Sequence, residues 1–405
     1  MKPVLASWGT MCLWGMALGT AQAAGFALIE QNASGLGNAY AGQAAVAEDA
    51  STVFFNPAGL TRIQGRQVVV AGHLIAPSAK LNVDPAPATT LAAYGNGGDA
   101  GLTAFVPNAY YAMDIGQDLK FGIGVNAPFG LATQYDTPWA GQTEAVRSDL
   151  KTYNINPSLA WKLHDKLSLG VGLNWQRIEA ELTQATDATA APTIAEMQGD
   201  DGSWGWNAGV LWSPDGATRL GLAYRSQIRH ELEGTLAPAN LPIVAGVTLP
   251  ETVSLSFFRP MTPAWDLLAD ITWTGWKSFD ELRVRHAVNN VTLSLTDESW
   301  ENVWRYSIGV NYHLDRKMTW RAGLAYDQTP VPDAAHRTPR IPDADRTWLA
   351  IGGQYRISPT SILDFGYAHL FVKDAPIAHT LVLPRLSGTY DNQVDIVSLQ
   401  YTHNF

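Results

Sequence analysis

The stretch Leu167-Ser168-Leu169-Gly170-Val171-Gly172-Leu173-Asn174-Trp175-Gln176 carries the pattern that decides the fold. Apolar residues alternate with small or polar ones, so an extended chain places every apolar side chain on one face. The other face holds glycine, serine and asparagine, whereas the wet face of a soluble β-sandwich would hold lysine, glutamate and aspartate. The stretch therefore predicts a β-strand whose apolar face contacts lipid.

Three more stretches repeat this alternation, with aromatic residues near their ends and aliphatic or small residues between them. They are Trp265–Trp273, Trp304–Tyr312 and Trp320–Tyr326. Aromatic residues at both interfaces, with an apolar band between them, are typical of the strands of a transmembrane β-barrel.

The composition agrees with a chain that disperses its apolar residues. Of the 405 residues, 46% are hydrophobic and only 16% are charged, yet the mean hydropathy is -0.06. The formal net charge of -10 argues against nucleic acid as a partner, because phosphate attracts basic faces. The single cysteine, Cys12, excludes a disulfide framework and a cysteine-ligated zinc site.

Residues 1–23 have the features of a secretory signal peptide. Lys2 supplies a positive start, Val4–Leu18 is apolar, and Ala21-Gln22-Ala23 offers a cleavage site. The apolar run is shorter than the roughly 20 residues of a membrane anchor, so we expect cleavage near Ala23 and export. An exported chain of this kind is either a soluble periplasmic protein or an outer-membrane β-barrel, and the alternation favours the barrel.

The lengths of the predicted connections give an independent count of strands. Six short turns alternate with seven longer loops, as in outer-membrane barrels, which have short periplasmic turns and long outer loops. The predicted fold class is therefore an all-β membrane protein, a 14-stranded antiparallel outer-membrane β-barrel over residues 63–405. The short turns are Asp114–Leu119, His164–Lys166, Ser213–Thr218, Arg259–Pro263, Asp315–Lys317 and Ser358–Thr360, and the long loops are Pro77–Thr103, Phe129–Leu150, Glu179–Ser203, Pro238–Val247, Ala287–Thr292, Gln328–Asp345 and Lys373–Asn392.

Residues 24–62 do not alternate. They are rich in alanine and glycine, and short helices interrupted by glycine and proline fit them best. Apolar residues such as Phe26, Phe54 and Phe55 would be costly to leave in water. We therefore expect a small helical hatch that plugs the lumen, rather than a periplasmic tail.

The last strand suggests how the barrel reaches the membrane. Val397, Leu399, Tyr401 and Phe405 share one face, although His403 interrupts the run. Such a strand resembles the recognition signal of the barrel assembly machinery. The expected partners are this machinery, outer-membrane lipid and lipopolysaccharide.

Several motifs, in order along the chain, resemble the FadL-like family of long-chain fatty-acid transporters of the Gram-negative outer membrane. The resemblance implies a monomeric 14-stranded barrel, a hatch that contains the Asn56-Pro57-Ala58 motif, and a kinked third strand that opens sideways. It also implies passive, ligand-gated diffusion of hydrophobic molecules, and it leaves open whether these are fatty acids, aromatic hydrocarbons or other apolar solutes. The motifs are Gly35-Leu36-Gly37, Tyr40-Ala41-Gly42, Asn56-Pro57-Ala58, Pro128-Phe129-Gly130-Leu131, Asn156-Pro157-Ser158, the cluster of Trp273, Trp276 and Phe279, Arg321–Asp327 and Ile341-Pro342-Asp343.

Enzymatic motifs are weak. The nine histidines show no metal-binding spacing, and no G-x-S-x-G elbow is present. Gly122–Ala127 formally matches a dinucleotide-binding loop but lies among predicted hairpins with no following helix. We expect neither an enzyme nor a cofactor nor a metal site, and an outer-membrane lipase or a structural adhesin barrel remain remote alternatives.

Charged residues at inward positions are the candidates for ligand chemistry. Arg225, Arg305 and Arg321 point to the lumen on the alternation pattern. One of them would hold a carboxylate head group through charge-assisted bonds, or each would merely pair with an interior acid such as Asp327 or Asp270. Phe26, Phe54 and Phe55 would supply apolar ligand contacts or simply form the core of the plug.

The third strand contains a candidate opening at Gly124, Asn126, Ala127, Pro128 and Phe129. A proline cannot donate to a β-ladder, so Pro128 either ends the strand or breaks its pairing with a neighbour. The family resemblance favours a side exit here. The alternative route leaves through the hatch near Asn56-Pro57-Ala58.

Overall fold

The computed structural model describes residues 25–84, 94–379 and 386–405. The predicted signal peptide at 1–23, residue 24 and parts of the predicted loops Pro77–Thr103 and Lys373–Asn392 lie outside the described residues. Among the described residues, no helix has the length and apolar character needed to cross a membrane.

Fourteen antiparallel strands form one closed sheet, which confirms the predicted fold class. Each strand pairs with the next, and the first pairs with the last from Gln67↔Asn404 to Val83↔Gly388. Closure leaves no free sheet edge. The strands, six of which have two segments, are β1 Arg66–Val83, β2 Ala104–Asp114, β3 Leu119–Asn126 and Gly130–Gln134, β4 Arg147–His164, β5 Leu167–Ala185, β6 Ile194–Trp212, β7 Arg219–Arg225 and Ile228–Ala237, β8 Leu241–Leu249 and Thr252–Thr262, β9 Trp265–Thr274 and Glu281–His286, β10 Thr292–Asp297 and Val303–His313, β11 Met318–Asp327, β12 Arg346–Arg356, β13 Ser361–Val372 and Ala375–His379, and β14 Leu386–Asn404.

The outward face carries the alternating apolar residues. Val171 and Leu173 are 59% and 57% exposed, whereas the next residue, Asn174, is fully buried toward the lumen. Exposed tryptophans such as Trp161 and Trp204 lie at opposite ends of the apolar band. This is the surface expected for a barrel wall in lipid.

Five of the six predicted short turns agree with the structure, but residues 259–262 of the predicted turn Arg259–Pro263 belong to β8. Several predicted long loops are also largely strand. The predicted loop Glu179–Ser203 is mostly ladder, because β5 and β6 stay paired up to Ala185↔Ile194. The predicted loop Pro238–Val247 likewise contains the start of β8 at Leu241. These strands rise above the lipid, where the outward face is polar, so the apolar alternation stops while backbone pairing continues.

Residues 25–62 lie inside the barrel as short helical turns: Ala33–Leu36, Gln43–Val46, Thr52–Phe55 and a 3-10 turn at Pro57–Arg62. Side chains cap two of these turns, because Asn32 accepts from the Gly35 amide and Asn56 accepts from the Ala58 amide, both at 3.0 Å. Helices this short are not stable alone, so contacts with the wall must hold them.

Those contacts reach several sides of the wall. Asn38 Nδ2 donates to Asn311 Oδ1 at 3.1 Å, and Arg219 Nη1 donates to the Val46 carbonyl at 2.8 Å. The backbone approach is very close at Gly170, where a Cβ would overlap the backbone of Pro57 and Ala58, and at Gly221, where it would overlap that of Ala44. The segment therefore contacts several sides of the wall and rests on glycine positions of the wall.

Candidate functional site

A cavity of about 140 Å³ lies between the hatch and the wall, and we call it the inner cavity. The hatch supplies mostly apolar groups to it, and the wall supplies most of its polar and charged groups. Its lining includes Leu28, Ile29, Phe54, Phe55 and Pro57 from the hatch and Pro128, Phe129, Tyr224, Arg225, Asp270, Trp276, Arg305 and Asp327 from the wall. An apolar molecule with one polar end would match this division.

Arg305 is an incompletely bonded cation in this cavity. Its Nη2 donates to the Ala39 carbonyl at 2.7 Å, but its buried Nε and Nη1 have no hydrogen-bond partner among the described residues. Asp327 is its register partner on β11, and Asp270 accepts instead from Ser256 and Thr272. Two donors of a planar guanidinium are thus left for a bound acceptor.

Arg225 is held by neutral groups only. Its Nη2 donates to the Phe54 carbonyl at 3.0 Å and to Asn156 Oδ1 at 3.3 Å, and its Nη1 donates to Asn174. The guanidinium carbon lies 4.2 Å from the centroid of the Phe54 ring. Neutral acceptors and an aromatic face position the cation without cancelling its charge.

The acceptors of Arg225 belong to a chain of buried asparagines that leads to β3. Asn154 Nδ2 lies 3.3 Å from Asn174 Oδ1 and 2.9 Å from Asn126 Oδ1. Asn126 in turn contacts the Tyr110 hydroxyl at 3.3 Å. An unbroken series of amides therefore connects the inner cavity to the end of the first segment of β3.

Arg321 has a different environment. It forms ion pairs of 3.0 Å with Glu48 and with Asp364, and it also donates to the Ser34 carbonyl. It is absent from the lining of the inner cavity. The structure therefore separates Arg321 from Arg225 and Arg305 and gives it the role of clamping the hatch to the wall.

Glu30 is a buried acid of the hatch that sequence patterns do not reveal. Its side chain is 1% exposed. Burial raises the pKa of Glu30 to about 7, and its own backbone amide and the charges of Arg305 and Arg346 only partly offset this effect. The carboxyl group thus takes up or loses a proton near neutral pH.

Phe26 lies in an aromatic cluster rather than in the inner cavity. Its ring centroid is 4.9 Å from that of Trp276, 5.5 Å from Phe279 and 6.0 Å from Phe129, and Trp300 completes the group. Trp276, Phe279 and Trp300 come from the interruptions in β9 and β10, which turn their side chains inward. In the sequence, Trp276 and Phe279 are marked only by the family resemblance, and no pattern singles out Trp300.

A second cavity, of about 80 Å³, lies on the extracellular side of this cluster, and we call it the outer cavity. Phe26 and Phe279 lie between it and the inner cavity. Apolar side chains of the strands that rise above the lipid line most of it, with Arg340 and Glu298 as its charged residues: Leu131, Leu150, Leu182, Leu232, Ile243, Val247 and Leu282.

Backbone pairing between β2 and β3 is interrupted. Their ladder ends at Ala109↔Val125, and the next pair between the two chain segments is an isolated bridge at Gly101↔Thr133. Between these points β3 bends inward and bonds the hatch: Leu28 N donates to the Pro128 carbonyl at 2.8 Å. We call this the strand-3 gap.

The other predicted opening residues lie around this gap. Gly124 packs on Val53 and Tyr110, and Ala127 accepts a hydrogen bond from Gln31 at 3.0 Å. Pro128 and Phe129 reach the inner cavity. The gap and the cavity are thus adjacent.

The Asn56-Pro57-Ala58 motif is a tightly bonded part of the hatch. Asn56 Nδ2 donates to the Ala44 carbonyl at 2.7 Å and to the Val210 carbonyl at 3.0 Å. Of the three residues, only Pro57 reaches the inner cavity. Within the described part of the chain, no three His, Cys, Asp or Glu side chains are grouped to hold a metal ion.

Comparisons with known proteins agree with this architecture. Residues 16–405 match the sequence model of the family described as "Outer membrane protein transport protein (OMPP1/FadL/TodX)". The long-chain fatty acid transport protein of Salmonella typhi is 30% identical over 388 residues, which cover 86% of this chain and 88% of that protein.

Two solved structures are similar over most of their length. The Pseudomonas aeruginosa FadL homologue has a TM-score of 0.85 at 27% identity and covers 94% of this chain and 100% of its own. The Ralstonia pickettii toluene transporter TbuX has a TM-score of 0.67 at 17% identity and covers 92% of this chain and 98% of its own. At that identity the second likeness concerns the fold alone.

Proposed function

The chain belongs to the OMPP1/FadL/TodX family of outer membrane transport proteins, and from that premise we propose that it takes up long-chain fatty acids by passive, ligand-gated diffusion. Family membership makes it a transporter of hydrophobic molecules in the Gram-negative outer membrane and not an enzyme. The fatty-acid ligand and the route through the barrel are the parts that we propose.

The observation that carries the proposal is the incompletely bonded guanidinium of Arg305. Its buried Nε and Nη1 lack partners among the described residues, and a buried donor without an acceptor is costly. A carboxylate has the two oxygens that would satisfy both donors at once. Toluene or another aromatic hydrocarbon has no such acceptor, so this residue favours a fatty acid.

The remainder of the inner cavity suits an alkyl chain. Ile29, Phe54 and Phe55 provide apolar surface beside the two arginines, and each methylene buried there gains about 0.8 kcal/mol. Arg225 lies on the same cavity and gives the head group a second cation. The relative from Salmonella typhi carries fatty-acid transport in its name, which supports the same ligand class.

For the exit, we propose the strand-3 gap. It adjoins the inner cavity at Pro128 and Phe129, and an apolar molecule that leaves there enters lipid without crossing water. The hatch, residues 24–62, would move to admit the ligand, because Leu28 is bonded to the kinked part of β3. The alternative exit passes the hatch beside Asn56-Pro57-Ala58.

We also propose that the chain acts as a monomer among lipid and lipopolysaccharide, after cleavage near Ala23 and insertion by the barrel assembly machinery. The closed ladder supports a monomer, since β1 and β14 satisfy each other and leave no edge for a second copy.

The test compares ligands with and without a carboxylate. Arg305→Gln should weaken binding of palmitate to the purified barrel by about 10- to 100-fold, the loss expected for a charge-assisted bond worth about 1.5–3 kcal/mol. Toluene binding should not change. The matched control is Arg316→Gln, on an exposed turn, and calorimetry measures the affinities of the wild type and both variants for both ligands. Equal losses for palmitate and toluene, or no loss for either, would refute the fatty-acid assignment.

A further inference from the structure

The barrel wall has a second interruption, between β8 and β9. The ladder runs from Ile243↔His286 to Ala245↔Val284 and resumes at Thr252↔Thr274. Between these pairs, the bonds that join the two strands are Gly275 N to the Glu251 carbonyl at 2.9 Å and Ser278 Oγ to the Thr248 carbonyl at 3.1 Å. A stretch of wall is therefore held without a continuous ladder.

This interruption lies at the level of lipid head groups. Trp273 ends the apolar band of β9 on the side of the long loops, and the interruption begins two residues later, at Gly275. Tryptophans at the end of such a band mark the interface. The strand-3 gap is different, because it follows Val125 in the lipid-facing part of β3.

The outer surface of the interruption is a cleft of about 430 Å³, which we call the side cleft. Gly246, Thr248, Ser278 and Phe279 line it, and its charged lining residues are Asp280, Glu281, Arg283 and Arg285. Arg285 donates to Asn290 at 2.8 Å and is 3.8 Å from Glu231, so its charge is only loosely paired. By contrast, Arg283 makes two bonds with Glu281, at 2.6 and 2.8 Å.

Among the described residues, Phe279 alone lines both the side cleft and the outer cavity. Its ring packs on Trp300 at 4.8 Å and on Phe26 at 5.5 Å between centroids. These ring contacts involve no hydrogen bond, so a movement of the ring costs aromatic packing but breaks no hydrogen bond. A single ring thus separates a cleft facing the outer leaflet from an apolar cavity.

We propose that the side cleft is an entrance for single-chain anionic amphiphiles that already reside in the outer leaflet. The tail passes Phe279 into the outer cavity while Arg285 binds the head group. This inference rests on the proposed fatty-acid function. Because each buried methylene favours the membrane over water, a long-chain fatty acid is concentrated in the leaflet, and an opening at head-group level reaches that supply directly.

The variant that tests the entrance is Gly246→Trp. A Cβ at Gly246 meets no atom within 4 Å, so the indole fills the cleft without displacing the backbone. The matched control is Gly202→Trp, at an outward position of β6 whose Cβ would lie 3.4 Å from Trp175. We expect Gly246→Trp to slow palmitate uptake by cells several-fold and Gly202→Trp to leave it unchanged.

Two further measurements separate the entrance from the proposed function. Palmitate binding to purified Gly246→Trp should equal that of the wild type, because the inner cavity is untouched. In reconstituted membranes, a palmitate probe with a diazirine on its chain should label the wild type near Phe279 but not Gly246→Trp. Normal uptake and labelling by Gly246→Trp would overturn the entrance and leave the proposed function standing. Failure of the wild type to bind palmitate would overturn both.

Discussion

Replacing Arg321 by methionine should release the hatch from the wall without unfolding the barrel. Arg321 and Asp364 are each 2% exposed and lie 3.0 Å apart, so the variant leaves a buried carboxylate without its counter-ion. Such a loss costs about 3–5 kcal/mol. Glu48, the other partner, is 31% exposed and can be solvated. We therefore place the cost at about 3 kcal/mol, which shifts the docking equilibrium of the hatch by about 100-fold.

Hydrogen exchange in detergent micelles measures this shift. The amides of the turns Ala33–Leu36 and Gln43–Val46 should exchange about 100-fold faster in Arg321→Met, in proportion to the loss of docking. Amides of β5 and β6 should keep their wild-type rates. Adding Asp364→Asn should recover part of the protection, because the second change removes the unpaired charge.

The exposed Arg316 provides the control, since Arg316→Met removes the same charge from a turn. If the hatch amides of Arg321→Met exchange at the wild-type rate, the ion pairs do not hold the hatch. If strand amides accelerate as much as hatch amides, Arg321 stabilises the whole barrel and the assignment is wrong.

Other variants test the wall, the exit and the hatch. Leu169→Arg, at a lipid-facing position, should lower the unfolding free energy of the barrel by about 2–4 kcal/mol in urea titrations; an unchanged value would contradict the predicted lipid contact. Asn126→Arg and Ala127→Arg should fill the strand-3 gap and abolish palmitate uptake, with barrel assembly followed by heat-dependent gel mobility; normal uptake by both would mean that the ligand leaves elsewhere. The docked state of the hatch should be most stable below pH 4.5, and the free energy of docking should become less favourable by about 3 kcal/mol as the pH rises past 7. The reason is that Glu30 binds its proton more tightly when the hatch is docked, where its pKa is raised from 4.5 to about 7. Maleimide labelling of Ala45→Cys should therefore speed up between pH 5 and pH 8 by more than the reagent's own pH dependence, which is measured on an exposed cysteine. Glu30→Gln should remove this additional acceleration. If the additional acceleration survives in Glu30→Gln, the Glu30 carboxyl is not its source.

The number of strands and the lipid face were predictable because both depend on local alternation. Val171 faces lipid for the same reason that any outward residue of a strand does. The distance that the strands extend beyond the lipid-facing band was not predictable from alternation. Around Asp200 the outward face is polar. A paired strand with a polar outward face contains the same residue types as a loop, so the sequence does not distinguish the two.

The roles of the arginines could not be separated from the sequence. Arg305 and Arg321 both occupy inward positions after an outward tryptophan. What distinguishes them is the hatch: its Glu48 accepts a hydrogen bond from Arg321 across 273 residues of sequence, whereas its Ala39 carbonyl accepts one from Arg305. The inward orientation of Trp276 and Trp300 was not predictable either, because both lie in interruptions of the strands, where no alternation indicates which way a side chain points.

The closing ladder also constrains the order of assembly. It joins Gln67 to Asn404, 337 residues apart, and contacts of such separation form late because their loop entropy must be overcome first. The hatch directly precedes β1 and touches walls as far along the chain as Gln400 of β14. A sheet that closes around an already tethered hatch encloses it. If the barrel closed first, the hatch would have to be threaded into the lumen afterwards. Biogenesis therefore leaves the hatch inside as a consequence of connectivity, with no separate insertion step.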